Sequence, residues 1–380
     1  MKKATIITYG CAMNVNESAK IKKLLENMGY EVIDDISESD AVFLNTCTVR
    51  EGAATQIYGK LGELKTVKEK KKPNMIIGVT GCFAQEQGEE LASKFKQIDI
   101  VMGNQNIGKI PQAIENIESG DFKHVIYTGN EDELPPRIDA DFGDKHVASL
   151  PITYGCNNFC TYCIVPYVRG RERSVPLAQV VEEAREYLVE KKNKELLLIG
   201  QNVNSYGNDF DNGDNFAKLL TELCKIEGDF LIRFISPHPR DFTDEVIDVI
   251  ASNDKIGKAI HLPLQSGSTN VLKAMNRGYT KEEYIALANK IKEKIPGVSL
   301  TADIIVGFPG ETEEDFLDTL DVVDKVRFDN SFMFMYSIRT GTKAAEMTNQ
   351  IDEEVKKERL QRLIALQNKI AKENSVAYMG

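Results

Sequence analysis

No apolar run in these 380 residues reaches ten, and the amino-terminal MKKATIITYG is too short for a signal-peptide core or a membrane span. The expectation is a cytoplasmic protein without a membrane partner. An excess of positive charge is missing as well: 47 basic against 58 acidic residues give a formal net charge of -11, which argues against a chain that coats nucleic acid non-specifically. Only a local basic patch remains open. No repeat of the solenoid kind is present. Cysteine is scarce, at seven, and the odd count in a large chain without a secretory signal makes a disulfide framework a poor account. What is left is an ordinary globular composition, 42% hydrophobic and 28% charged, at a length that predicts two to three domains.

Three of those few cysteines are nevertheless crowded together, Cys156, Cys160 and Cys163 in TYGCNNFCTYCIVPY. Packing of small buried residues explains this badly, because Asn157, Asn158 and Thr161 make a poor core segment. Zinc sites recruit four ligands as two close pairs, and no second CxxC or HxxxH pair accompanies this one. Iron-sulfur clusters are held by closely spaced thiolates, and three ligands for four irons leave one iron open to a further ligand. A zinc-bound RNA-binding module and an electron-transfer or cluster-carrier protein remain as rival readings.

The order of elements gives the other cysteines meaning. Strands are expected at 4–8, 41–46, 75–80 and 98–102, with helices at 16–28, 51–72, 85–96 and 107–118, a βα alternation that predicts a doubly wound parallel sheet over residues 1–120. Cys11, Cys47 and Cys82 each follow one of these strands, in TYGCAMN, NTCTVRE and VTGCFAQ, so they share the carboxyl edge of one sheet and form a second three-thiolate site. Residues 121–149, acidic and rich in Pro and Gly, are expected as a linker. From 150 to 350 the alternation resumes, with strands at 150–154, 195–199, 230–235, 259–264, 299–306 and 328–336, which predicts a partial TIM-like (β/α)6 barrel with its site at the carboxyl ends of the strands. Residues 352–374, within a final segment of 351–380, are expected as an amphipathic helix with its basic residues in solvent.

CxxxCxxC after the first strand of a partial barrel, with Tyr162 just before the third Cys, resembles the radical S-adenosylmethionine (SAM) superfamily. With the second triplet, and with GQNVNSYG, HLPLQSGS and DIIVGFPGETEEDF, nearly the whole chain resembles the methylthiotransferases, in their MiaB branch. Ala12 and Val175 depart from that branch's usual Gln and Arg. The chain also stops at Gly380, where family members carry a small RNA-binding TRAM β-barrel; a truncation is the expectation.

The resemblance implies two 4Fe-4S clusters, on Cys156, Cys160 and Cys163 and on Cys11, Cys47 and Cys82, and two SAM molecules. The implied reaction adds a methylthio group to C2 of an N6-isopentenyladenosine beside the anticodon of tRNA. The implied partners are a tRNA anticodon stem-loop and a low-potential electron donor, for a monomer. The neighbouring branches act on threonylcarbamoyl-adenosine in tRNA or on an aspartate of a ribosomal protein. SAM contacts are expected from Tyr162, Gly200, Gln201, Asn202, Gln265, Ser266, Gly307 and Pro309, with Gly310 beside them. No catalytic side chain is assigned beyond the cluster ligands. Arg169, Arg171 and Arg173 suit a SAM carboxylate, an RNA phosphate or plain solvent. His261 suits either the site or the core, the lysine run Lys68–Lys72 reads as an exposed helix end, and Cys224 is given no role.

Overall fold

The computed structural model describes residues 1–48, 53–129, 133–140 and 146–376. Two compact units emerge, Met1–Lys145 with Val165–Arg173, and His146–Ile164 with Ser174–Gly380.

In the first unit six strands, β1 (Lys2–Thr8), β2 (Tyr30–Val32), β3 (Ala41–Thr46), β4 (Ile76–Gly81), β5 (Ile100–Met102) and β6 (Val125–Tyr127), form one parallel sheet in the order β2-β1-β3-β4-β5-β6. All six residues of β3 and of β4 are buried, because helices cover both faces. On one side α1 (Ala12–Asn27) and α4 (Ile110–Glu118) pack Ile21, Leu25, Ile110 and Ile114 against Phe43 and Ile100. On the other, α2 (Ala53–Lys70) and α3 (Cys82–Lys94) bring Ile57, Leu61 and Leu91 onto Val42, Leu44 and Val79. A one-turn helix, α5 (Val165–Arg169), belongs to the same unit.

The doubly wound sheet is as expected, with two additional edge strands. β2 and β6 are three residues each, and β6 lies in the segment expected as a linker. Helix α1 begins four residues before its expected start, and the helix expected at 107–118 starts as a 3-10 turn over Asn104–Lys109. Positions 51 and 52 of the expected helix 51–72, residues 130–132 and 141–145 of the expected linker, and residues 377–380 of the final segment lie outside the described residues.

The second unit contains β7 (Val147–Pro151), two short strands β8 (Thr153–Tyr154) and β9 (Arg173–Ser174, Arg173 counting with the first unit), and then β10 (Glu195–Ile199), β11 (Leu231–Phe234), β12 (Ala259–His261), β13 (Ser299–Val306) and β14 (Asn330–Met335). The six longer strands make two parallel three-stranded sheets, β11-β10-β7 and β12-β13-β14. Helices α6 (Leu177–Arg185), α7 (Phe216–Cys224), α8 (Asp244–Ser252), α9 (Thr269–Ala274), α10 (Lys281–Lys294) and α11 (Glu313–Val326) alternate with them, the βα succession expected of the partial barrel. Burial alternates strictly along β13, so one face is packed and the other is half-open. The last helix, α12 (Glu353–Val376), is held to β14 by Gln367, which accepts from Ser331 Oγ at 3.0 Å and donates to the Phe328 carbonyl at 2.9 Å. Among the described residues no helix is long and apolar enough to cross a membrane.

Candidate functional site

Each cysteine of the first unit sits at the carboxyl end of a strand: Cys11 after β1, Cys47 after β3, Cys82 after β4. Strand order reverses between β1 and β3, the switch point at which parallel sheets of this kind bind ligands. The register places Thr46 opposite Gly81, so Cys47 and Cys82 follow on neighbouring strands. Gly81, at φ +93°, is required there: a Cβ would lie 2.3 Å from the Thr46 carbonyl oxygen.

The loops are tied by side-chain amides. Asn14 Oδ1 accepts from the Cys11 N–H at 3.3 Å, and its Nδ2 donates to Asn45 Oδ1 at 3.1 Å and to the Thr46 carbonyl at 3.2 Å. Asn45 Nδ2 returns a bond to the Asn14 carbonyl at 2.8 Å. Cys11 is exposed, whereas Cys47 and Cys82 are buried. Burial pushes the Cys82 thiol up to about 12, and the Arg169 guanidinium works against that rise. Arg169 Nε lies 3.2 Å from Cys82 Sγ, while Nη1 and Nη2 donate to the two carboxylate oxygens of Glu17 at 2.8 and 3.4 Å. Both residues of that ion pair are buried. Asn104 Oδ1 is buried without a hydrogen-bond partner. Three thiols at one sheet edge, one of them met by a cationic donor, suit an anionic iron-sulfur group.

In the second unit, Cys156 and Cys160 are buried and Cys163 is half-buried. The loop that carries them is shaped from outside: Asn276 Nδ2 donates to the Asn158 and Phe159 carbonyls at 2.9 and 3.2 Å, and Arg240 Nη2 to Asn158 Oδ1 at 2.6 Å. Phe159 is held at φ 46°, and the Thr161 N–H and hydroxyl donate to the Met275 and Ala274 carbonyls. Buried Arg277 donates through Nη1 to Cys160 Sγ at 3.4 Å, through Nε to Tyr279 Oη at 3.2 Å and through Nη2 to the Pro263 carbonyl at 3.2 Å. Tyr162 packs on the Val271, Met275, Phe308 and Tyr336 cluster, and burial drives its phenol well above the ordinary range. Among the described residues no three His, Cys, Asp or Glu are gathered closely enough to hold a single ion. The ligands of an iron-sulfur cluster are not asked to do so, since each thiolate serves its own iron.

The carboxyl ends of β7, β10 and β11 carry a set of buried polar atoms without protein partners: Thr153 Oγ1, Gln201 Oε1, Asn202 Oδ1 and His238 Nε2. Such atoms are costly unless a ligand or water meets them, which fits a polar cofactor such as SAM. Asn202 Nδ2 is engaged, donating to Asp241 Oδ2 at 2.7 Å. At Gly200 a Cβ would fall 2.1 Å from Thr153 Oγ1, so the backbone comes close to that group. His238 is held neutral, pushed down to about 2 by burial first and then by Arg277 and Arg240. Its Nδ1 accepts from the Arg240 N–H at 3.2 Å, so Nε2 carries the proton.

The remaining expected contacts are more occupied. Gln265, at φ 67°, continues the sheet by backbone bonds to Asp303 and Ile305. The Ser266 hydroxyl is turned toward Thr319 of α11 and the Ser268 N–H. Gly307, Pro309 and Gly310 follow β13, but a Cβ at Gly307 or Gly310 would meet Lys356 or Asn349, each at 2.3 Å. The Gly307 N–H donates to Glu311, itself paired with Arg359. His261 is half-buried, 3.2 Å from Asp303 and 2.9 Å from Thr301. Arg169 is neither solvated nor near a free carboxylate; Arg171 is exposed, and Arg173 bonds the Glu133 carbonyl. In the lysine run, Lys68 and Lys72 pair with Asp99 and Asp40, and Cys224 is half-buried on α7. Glu17, Arg277 and His238 were not identified as site residues from sequence, because nothing local marks them; Arg169 was read as suited to a SAM carboxylate, an RNA phosphate or solvent, and it meets Cys82 and Glu17 instead.

Two family descriptions match the chain: the radical SAM superfamily over residues 150–323, and the uncharacterized protein family UPF0004 over residues 3–103. A tRNA-2-methylthio-N(6)-dimethylallyladenosine synthase of Fusobacterium nucleatum subsp. nucleatum is 72% identical over 380 residues, 100% of this chain and 87% of that protein. One of the same name from Acetivibrio thermocellus is 48% identical over 375 residues, 98% of this chain and 78% of that protein. Among solved structures, the cobalamin-dependent SAM radical enzyme OxsB superimposes with a TM-score of 0.64 at 14% identity, covering 97% of this chain and 56% of that one. The radical SAM methyltransferase TsrM of Kitasatospora setae gives 0.64 at 14% identity, covering 91% and 75%.

Proposed function

The chain belongs to the family of tRNA-2-methylthio-N(6)-dimethylallyladenosine synthases, radical-SAM methylthiotransferases, and from that membership we propose that it replaces the C2 hydrogen of N6-isopentenyladenosine beside the tRNA anticodon with a methylthio group. In this reading Cys156, Cys160 and Cys163 hold one 4Fe-4S cluster, Cys11, Cys47 and Cys82 hold a second, and two SAM molecules are used. The observation that carries it is the second triplet, which a single-cluster radical enzyme would not need: three cysteines from three adjacent strand ends, beside a switch point. When bound, these groups supply a one-electron cleavage of SAM to a 5'-deoxyadenosyl radical and a methyl transfer to sulfur.

The chain's own residues provide position and exclusion. Arg277 fixes Cys160 from the buried side, and Asn276 and Arg240 fix the loop around it, so the thiols keep their geometry without their neighbours rearranging. Thr153, Gln201 and Asn202 offer oxygens and His238 a neutral N–H, a mixture that suits the amino acid and ribose portions of SAM. Neutrality matters, since a sulfonium would be repelled by an imidazolium. The electron comes from a low-potential donor, and the enzyme acts as a cytoplasmic monomer.

The test is anaerobic reconstitution and assay on an isopentenylated anticodon stem-loop, with separate Ala triplets. Substituting Cys156, Cys160 and Cys163 is expected to abolish 5'-deoxyadenosine; substituting Cys11, Cys47 and Cys82 is expected to spare it while stopping methylthiolation. Identical behaviour of the two triplets would overturn the division of labour. Methylthiolation of a threonylcarbamoylated stem-loop or a ribosomal-protein aspartate instead would move the substrate assignment to a neighbouring branch.

A further inference from the structure

Arg169 combines three properties. It is buried, it is bound through two nitrogens to a buried carboxylate, and its third nitrogen is directed at a sulfur proposed to bind iron. A buried Arg–Glu pair alone contributes little net stability, because desolvation of both ions offsets their attraction. The Nε–H toward Cys82 is what the pair adds. Glu17 occupies the outer fork of the guanidinium, and the Arg169 backbone is anchored separately, its carbonyl accepting from Gln105 Nε2 at 2.8 Å.

From this geometry we infer that Arg169 and Glu17 form a positioning and charge-tuning pair for the Cys11, Cys47 and Cys82 site. The inference rests on the reading that this triplet holds a cluster. Hydrogen bonds to cluster sulfurs, local charge and burial set the reduction potential of such centres. A guanidinium on Cys82 stabilises the more negative, reduced state and raises the potential; the Glu17 carboxylate opposes it. The pair therefore brings a donor to the sulfur while keeping the added charge near zero. Arg277 at Cys160 differs, because its other hydrogen bonds go to a phenol and a carbonyl rather than a carboxylate.

The sign of the two contributions provides the test. In the full chain carrying Ala at Cys156, Cys160 and Cys163, iron and sulfide are reconstituted anaerobically and the remaining cluster is titrated by electron paramagnetic resonance. Arg169→Gln is expected to shift the midpoint to more negative values and Glu17→Gln to more positive values, with Arg169→Lys recovering part of the shift. Midpoints equal to the parent's at full iron content would overturn the inference, as would loss of iron in both variants, which a merely structural pair would produce. Absence of iron in the parent would instead overturn the two-cluster reading, and this inference with it.

Discussion

At the scale of single residues, His238 shows how burial decides chemistry. Its Nδ1 is occupied by the Arg240 N–H, its ring stands edge-on to Tyr279, and Arg240 and Arg277 add positive charge nearby, so the folded protein refuses a second proton. The unfolded chain accepts that proton below the ordinary histidine value near 6.5. Between about 6.5 and 2 the unfolded state therefore binds more protons, and stability falls as pH is lowered, by up to about 1.4 kcal/mol per pH unit. His238→Asn, whose side-chain oxygen can replace Nδ1 as acceptor, is expected to flatten this dependence. Melting temperatures of parent and variant at pH 7 and pH 5 check it: equal losses in the two proteins would refute the assignment.

At the scale of elements, the loop after β13 is fastened by the last helix. Glu311 accepts from the Gly307 N–H at 2.9 Å and from Arg359 Nη1 at 2.8 Å, with both ends of the ion pair buried, and burial raises its carboxyl above the ordinary value. Arg359→Met would strand a buried carboxylate and is expected to cost about 3–5 kcal/mol. Adding Glu311→Gln should recover part of it, which urea unfolding of the single and double variants would reveal. The elements themselves were largely legible. AVFLNT and MIIGVT announce strands buried on both faces, and cysteines repeated at their ends announce a shared edge. β2 and β6, three residues each at the two edges of the sheet, were not read from the sequence. Nor was the Arg169–Glu17 pair, whose members are 152 positions apart and whose arginine sits in a stretch that suits a SAM carboxylate, an RNA phosphate or solvent equally. Ser266 illustrates a third limit: a strand-end serine can serve the cofactor or the next helix, and here its hydroxyl goes to the helix.

At the scale of the molecule, the first unit is not contiguous in sequence. It is completed by Val165–Arg173, which begins two residues after Cys163. Those residues contribute buried Pro166, Val168 and Arg169, and burial of Val168 alone is worth about 1.5–3 kcal/mol. A fragment of residues 1–145 would therefore lack both that apolar surface and the donor to Cys82, and Glu17 would lose its cation. It is expected to melt at a lower temperature than the same fragment joined to residues 165–173 by a flexible linker of about 20 residues. It should also take up less iron on reconstitution. The fused segment with Arg169→Gln separates the two contributions: packing without the guanidinium should recover the melting temperature and the iron while leaving the cluster's midpoint more negative than with Arg169 in place. If the bare fragment matched the fusion in both measurements, the segment would be a passenger on the first unit rather than a part of its cysteine site.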